Sequence, residues 1–103
     1  MRGKAAYDFE WDAVKALANA RKHGLNFDRA TTVFLDALAL TVFDAAHSQF
    51  EERWFTLGLD ASGTLLAVSH TFQAAAPANT RVRLISARPA TRRERQFYED
   101  EPR

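Results

Sequence analysis

The sequence predicts an α+β domain, an antiparallel sheet with two N-terminal helices on one face and a C-terminal helix following the last strand. Three observations lead there. Residues 13 to 23 carry apolar side chains at helical spacing and stop at Gly24. Two runs of strand character, RWFTLGL and TLLAVSHTF, flank the turn sequence DASG. The run RVRLISARPATRRERQFYE then passes from strand to helix across Pro89 and Thr91. All 103 residues are expected to form one domain, with a single core.

Taken in order, AAYDFEW reads as a first strand ending at Asp12, a residue suited to cap the helix that follows. In that helix Val14, Leu17 and Ala18 form the expected inward stripe, extended by Ala13, Ala16 and Ala20. Gly24 is placed to end it, and Lys22 and His23 suit the negative end of its dipole. Lys15, Asn19, Lys22 and His23 share a second, polar face, for which solvation is the simpler reading of Lys15 and Asn19. A second helix starts near Asn26 or Asp28 and runs to about Leu35, with Ala30, Val33 and Phe34 inward. ALALTVFD predicts a strand over residues 37–44, followed by the polar stretch AAHSQFEE, in which Asp44, His47 and Glu51 read as solvated. A tight turn pairing Asp60 with Gly63 sets Leu57 opposite Leu66, Phe55 opposite Val68 and Arg53 opposite His70. A bulge in that turn would slip the register by one and break the last pairing. QAAAPANT reads as a loop, RVRLISA as the last strand, and Thr91 as the start of the closing helix. The predicted order is β-α-α-β-β-β-β-α.

Composition excludes several classes of function. The chain has no cysteine, so disulfides and thiolate metal sites are ruled out, and a reducing cytoplasm suits it. The start, MRGKAAYDFEWD, lacks the apolar stretch of a secretion signal, and no run approaches the ~20 apolar residues of a membrane span. Net charge is only +1, yet Arg81 to Arg95 holds six arginines and one acid, Glu94. A basic segment in a near-neutral chain points to a directed anion site rather than a general polyanion surface.

That segment contains a capping box, T-x-x-E, with Thr91 as N-cap and Glu94 three residues on. The box places Arg92 and Arg93 in the first helical turn, where each costs on the order of a few tenths to 1 kcal/mol at low salt. A phosphate reverses the sign, since it would meet backbone N–H groups, the dipole and guanidinium forks together. His23, His47 and His70 show no metal-ligand spacing, and no Gly-rich phosphate loop or GxSxG nucleophile motif is present. Neither metal nor cofactor is therefore expected. Arginines, a lysine and one or two histidines suit RNA cleavage in which the substrate's own 2′-OH attacks and the protein supplies base, acid and cations. Arginines near His70 would favour its neutral, base-competent form. Trp54, Phe72 and Tyr98 could stack on bases, though core packing explains aromatics more simply.

FEWDAVKALANARKHGLNFDRATTVFLD, EERWFTLGL, SGTLLAVSHT and RLISARPATRRERQFYE together resemble the BrnT family of type II toxins over nearly the whole chain. The KHG triplet (Lys22 to Gly24), the ER pair (Glu52, Arg53) and the run from Ser86 to Glu94 carry the likeness. The resemblance implies a RelE-like fold and a small, cytoplasmic ribonuclease that inhibits translation. It also implies a BrnA-like ribbon-helix-helix antitoxin, and contact with operon DNA only through that antitoxin. Carried over by position, Lys22, His23, Arg53, Arg83, Arg88, Arg92 and Arg93 become functional candidates, with His70 in a less consistent column. On this reading His23, Arg53, His70, Arg83 and Arg88 act on the scissile phosphate, and Lys22, Arg92 and Arg93 hold RNA. The alternative is a non-catalytic partner of the antitoxin in a DNA-binding repressor. A phosphate-binding enzyme of small molecules is a third possibility, without a pocket motif to support it.

Overall fold

The computed structural model describes residues 6–76 and 79–102. Its elements are β1 (Ala6–Trp11), α1 (Ala13–His23), α2 (Phe27–Thr31), β2 (Leu40–Phe43), β3 (Trp54–Leu59), β4 (Leu65–Ala76), β5 (Asn79–Pro89) and α3 (Arg92–Asp100), in the predicted order. They form an open five-stranded sheet in the order β1-β5-β4-β3-β2, in which β1 runs parallel to β5 and every other pairing is antiparallel. Among the described residues no helix is long and apolar enough to cross a membrane.

Local chemistry explains the element boundaries. The Asp12 carboxylate accepts from the N–H groups of Val14 (2.8 Å) and Lys15 (3.1 Å), pairing two first-turn donors of α1. Gly24 closes the helix at φ 68°, a left-handed conformation that costs glycine nothing. α2 is shorter than predicted because the Thr31 and Thr32 hydroxyls donate back to the carbonyls of Asp28 and Arg29 (2.7 Å each), and the chain tightens into a 3₁₀ turn over Thr32–Leu35. The predicted strand over residues 37–44 begins only at Leu40, since Asp36 and Ala39 close a turn before it. The expected loop over residues 73–80 is shorter too. β4 continues to Ala76 and β5 starts at Asn79, while Pro77 and Ala78 lie outside the described residues.

The hairpin turn carries the bulge. Asp60 N–H donates to the Thr64 carbonyl (2.8 Å), Gly63 N–H donates to Asp60 (3.0 Å), and Gly63 sits at φ 84°. The register therefore slips by one residue. Leu57 pairs with Ala67, Thr56 with Val68, and Trp54, not Arg53, with His70.

One sheet face, from Val82, Leu84, Leu66 and Val68, packs under Leu25, Phe27, Ala30 and Val33 to form the larger core. Gly58 lies on that face, and a Cβ there would come within 3.0 Å of the Val33 carbonyl, so only glycine admits so close a helix. The opposite face holds a smaller cluster of Leu57, Leu65, Ala67 and Tyr98, by which α3 is anchored. The inward stripe predicted for α1 holds for Ala16, which packs against the larger core, and is otherwise corrected. Val14 and Leu17 are 75% and 61% exposed, Ala18 is exposed as well, and the buried residue is Asn19. β1 ends opposite Leu84, which leaves the next stretch of β5 without a neighbouring strand on that side. Asn19 fills the gap: its Nδ2 donates to the carbonyls of Ala87 (2.9 Å) and Leu25 (3.1 Å), and its Oδ1 accepts from the Ala87 N–H (2.9 Å). An unpaired buried peptide costs about 1–3 kcal/mol per group, comparable to the gain from burying an aliphatic side chain, so the helix turns Asn19 inward.

Candidate active site

The candidate site lies on the sheet face turned away from α1 and α2. Two of its arginines come together through an irregularity in β5. Leu84 pairs with His70 but Ser86 pairs with Ser69, so Ile85 is an extra residue in the strand. Sequence parity sets Arg83 and Arg88 on opposite faces, and the bulge cancels that difference. Arg83 pairs with Thr71 and Arg88 with Ala67, which both project to the side opposite the helices, as does Gln73, the partner of Arg81.

A cavity of about 380 Å³ opens on this face between β3, β4, β5 and the start of α3. Arg53, Arg88, Glu94, Ser69 and Ser86 line it, with Asp44 and His47 from the β2–β3 loop. Each arginine meets a carboxylate. Arg88 forks onto Glu94 with bonds of 2.7 and 2.9 Å, the bidentate geometry that suits a guanidinium. Arg83 donates to both oxygens of Glu51 at 2.6 Å, and Arg53 approaches Glu51 at 3.6 Å. Among the described residues the buried Nε–H of Arg53 has no hydrogen-bond partner. The predicted capping box is present, so Glu94 serves the Thr91 N–H (2.9 Å) and Arg88 at once.

These contacts bias charge. The hydrogen bonds from Arg88 outweigh partial burial and, helped by the Thr91 N–H, hold the Glu94 carboxyl at about 2. Glu94 in turn raises the Arg88 guanidinium above its ordinary value. Hydrogen bonding from Arg83 likewise lowers Glu51. Arg53, Arg83 and Arg88 thus each face a carboxylate whose place a phosphate could take, Arg53 and Arg88 at the cavity and Arg83 in a neighbouring depression with Glu51 and Gln73.

Other predicted candidates lie in three places. Lys22 and His23 end α1 and line a smaller depression with Ile85 and Ser86, so they adjoin the main cavity around β5. Arg92 and Arg93 are exposed in the first turn of α3, outside the cavity lining. His70 is a correction. It is fully buried on the helix side of the sheet, where its Nε2 shares a 2.7 Å hydrogen bond with Thr56 and its ring packs on Phe34 and Phe72. Burial pushes it down to about 4, against a partial rise from the Thr71 carbonyl. It is neutral for want of water, not through nearby arginines. Asn19, read as solvated, is buried as described above, and Trp54 and Phe72 meet in a tilted contact at 5.9 Å in the same aromatic row as His70.

The sequence reading missed His47. Its Nδ1 lies 2.9 Å from Asp44 Oδ2, and the pair faces the cavity. The available signal was the spacing D-x-x-H just before Arg53, without a strand or helix pattern to place it. Among the described residues no group of three or more His, Asp or Glu side chains is gathered as metal ligands would be.

The model of a protein family described as "Ribonuclease toxin, BrnT, of type II toxin-antitoxin system" matches residues 11–94. In three dimensions the chain is similar to the crystal structure of the Brucella abortus ribonuclease toxin, BrnT. That likeness has 22% sequence identity and a TM-score of 0.58, and it covers 84% of this chain and 99% of that one. No curated protein sequence matches the chain.

Proposed function

Because the chain belongs to the BrnT family of ribonuclease toxins of type II toxin–antitoxin systems, we propose that the arginine-lined cavity is where it cleaves RNA, without a metal ion. The substrate's 2′-oxygen bonds to the adjacent phosphorus and the P–O5′ bond breaks, leaving a 2′,3′-cyclic phosphate and a 5′-hydroxyl. Charge grows on the phosphorane oxygens. Arg53, Arg83 and Arg88 answer it as the phosphate takes over from Glu51 and Glu94. Lys22, Arg92 and Arg93 hold flanking phosphates, and His23 stands beside Ser86 at the rim.

The observation that carries this reading is the meeting of Arg53 and Arg88 at one cavity, where the buried Nε–H of Arg53 has no hydrogen-bond partner among the described residues. Val14 and Leu17, exposed on α1, offer the apolar surface that a BrnA-like ribbon-helix-helix antitoxin would cover. DNA would then be reached only through that antitoxin, and the toxin would act in the cytoplasm, where its RNA is. Incubating purified chain with RNA in EDTA tests the mechanism. Cleavage should persist in chelator, give cyclic-phosphate ends, and fall about 100-fold or more in Arg88→Ala. Cleavage abolished by EDTA overturns the metal-free mechanism. A wild-type chain inert toward RNA in the absence of antitoxin overturns the nuclease assignment, leaving a purely protein-binding role.

A further inference from the structure

We propose that His47, held by Asp44, is the general base that takes the proton from the attacking 2′-OH; this rests on the nuclease reading above. Placement comes first. His47 and Asp44 both line the cavity that holds Arg53 and Arg88, and His47 also lines the adjoining depression with Arg53 and Glu51. Arg53, Arg88 and this imidazole therefore meet in one space.

Orientation comes second. The β2–β3 loop is tied at its base by the Asp44 N–H to the Arg53 carbonyl (2.8 Å). Ser48 braces it from inside: its hydroxyl donates to the Asp44 carbonyl (2.6 Å) and accepts from the Arg53 N–H (2.9 Å). A 3₁₀ turn over Ala45–His47 then brings the ring back to the Asp44 carboxylate. A carboxylate only accepts, so Nδ1 must carry the proton, and in the neutral ring Nε2 keeps its lone pair. That is the tautomer a base needs, fixed by a carboxylate as in other histidine–aspartate pairs.

Access comes third. The His47 side chain is 68% exposed and that of Asp44 20%, so the base is open to substrate while its orienting partner is sheltered. The other histidines do not combine these properties. His70 is buried on the far face, and His23 lies at the rim with Lys22 and shares no hydrogen bond with a carboxylate among the described residues. In the step itself the 2′-oxygen bonds to phosphorus while its proton passes to His47 Nε2. O5′ leaves with a proton from water at the open mouth, and the imidazolium then returns its proton to solvent.

The test compares wild type, His47→Ala, Asp44→Asn, His23→Ala and Arg88→Ala on one RNA, with binding measured on the same RNA carrying a 2′-deoxy residue at the cleavage site. His47→Ala should cleave about 100-fold or more slowly while binding the deoxy analogue as wild type does. Added imidazole should restore part of that rate, which a merely structural loss would not allow. Asp44→Asn should lose less, because the base is present but unaligned. If His47→Ala cleaves at the wild-type rate while Arg88→Ala does not, the inference fails and the nuclease reading stands. A loss in His23→Ala rescued by imidazole, with His47→Ala unaffected, moves the base to His23 and equally overturns the proposal. A wild-type chain without cleavage removes both.

Discussion

His70 shows how one buried side chain makes stability depend on pH. Unfolded, it titrates near its ordinary 6.5; folded, burial holds it at about 4. Between those values the unfolded chain binds a proton that the folded chain refuses, so stability is full above pH 6.5 and is lost as pH falls through 4. The effect is worth about 3 kcal/mol at most. Glu94 and Asp60 extend the loss to lower pH. Burial would raise Asp60, but hydrogen bonds from Thr64, Ser62 and Arg29 hold it at about 2, where Arg88 holds Glu94. Both contribute above their unfolded values of 3.8 and 4.5 and cease to contribute as pH falls through 2. Thermal midpoints measured from pH 7 to 2 should fall in two stages. His70→Gln should flatten the first stage, between pH 6.5 and 4. Glu94→Gln, which keeps a capping-box residue in place, should flatten only the second.

At the level of elements, Asn19 stands in for a strand. It pairs both backbone groups of Ala87 where β1 has ended, and so joins α1 to β5. Asn19→Leu should destabilise the fold by about 2–4 kcal/mol in denaturant titrations, since it removes the side-chain partner of three buried backbone groups, the N–H and carbonyl of Ala87 and the carbonyl of Leu25. A loss below about 0.5 kcal/mol would mean that water or a shifted helix repairs the gap. Elements whose ends are decided locally were legible in the sequence: Asp12 and Gly24 around α1, Thr91 and Glu94 at α3. Features decided across strands were not. The orientation of α1 depends on where β1 stops, the slip that parts Arg53 from His70 depends on the bulge at Gly63, and Arg83 and Arg88 share a face only because of Ile85. Residue types therefore pointed to the arginines of the site, while their grouping, and the nearness of His47, needed the strand pairing.

For the whole molecule, a net charge of +1 conceals a division of labour, with α1, α2 and the larger core on one side of the sheet and paired arginines and glutamates on the other. RNA affinity should accordingly depend on salt through a few contacts rather than overall charge. Each of Arg53→Ala, Arg83→Ala and Arg88→Ala should lower the slope of log affinity against log salt by about 0.7, read by titrating an uncleavable single strand at several ionic strengths. The parallel pairing of β1 with β5 also sets an order in time. β1 leaves the ribosome before the other described strands, yet among the described residues its neighbour in the sheet is β5, the last of them to be made. Until β5 arrives, Phe9 and Trp11 have no Val82 and Leu84 beside them, and the strand bearing Arg83 and Arg88 does not yet exist. Closing the sheet and gathering the arginines are one event, delayed by its long sequence separation. On the cleavage reading proposed above, a chain still being synthesised lacks Arg83 and Arg88 until β5 has been made.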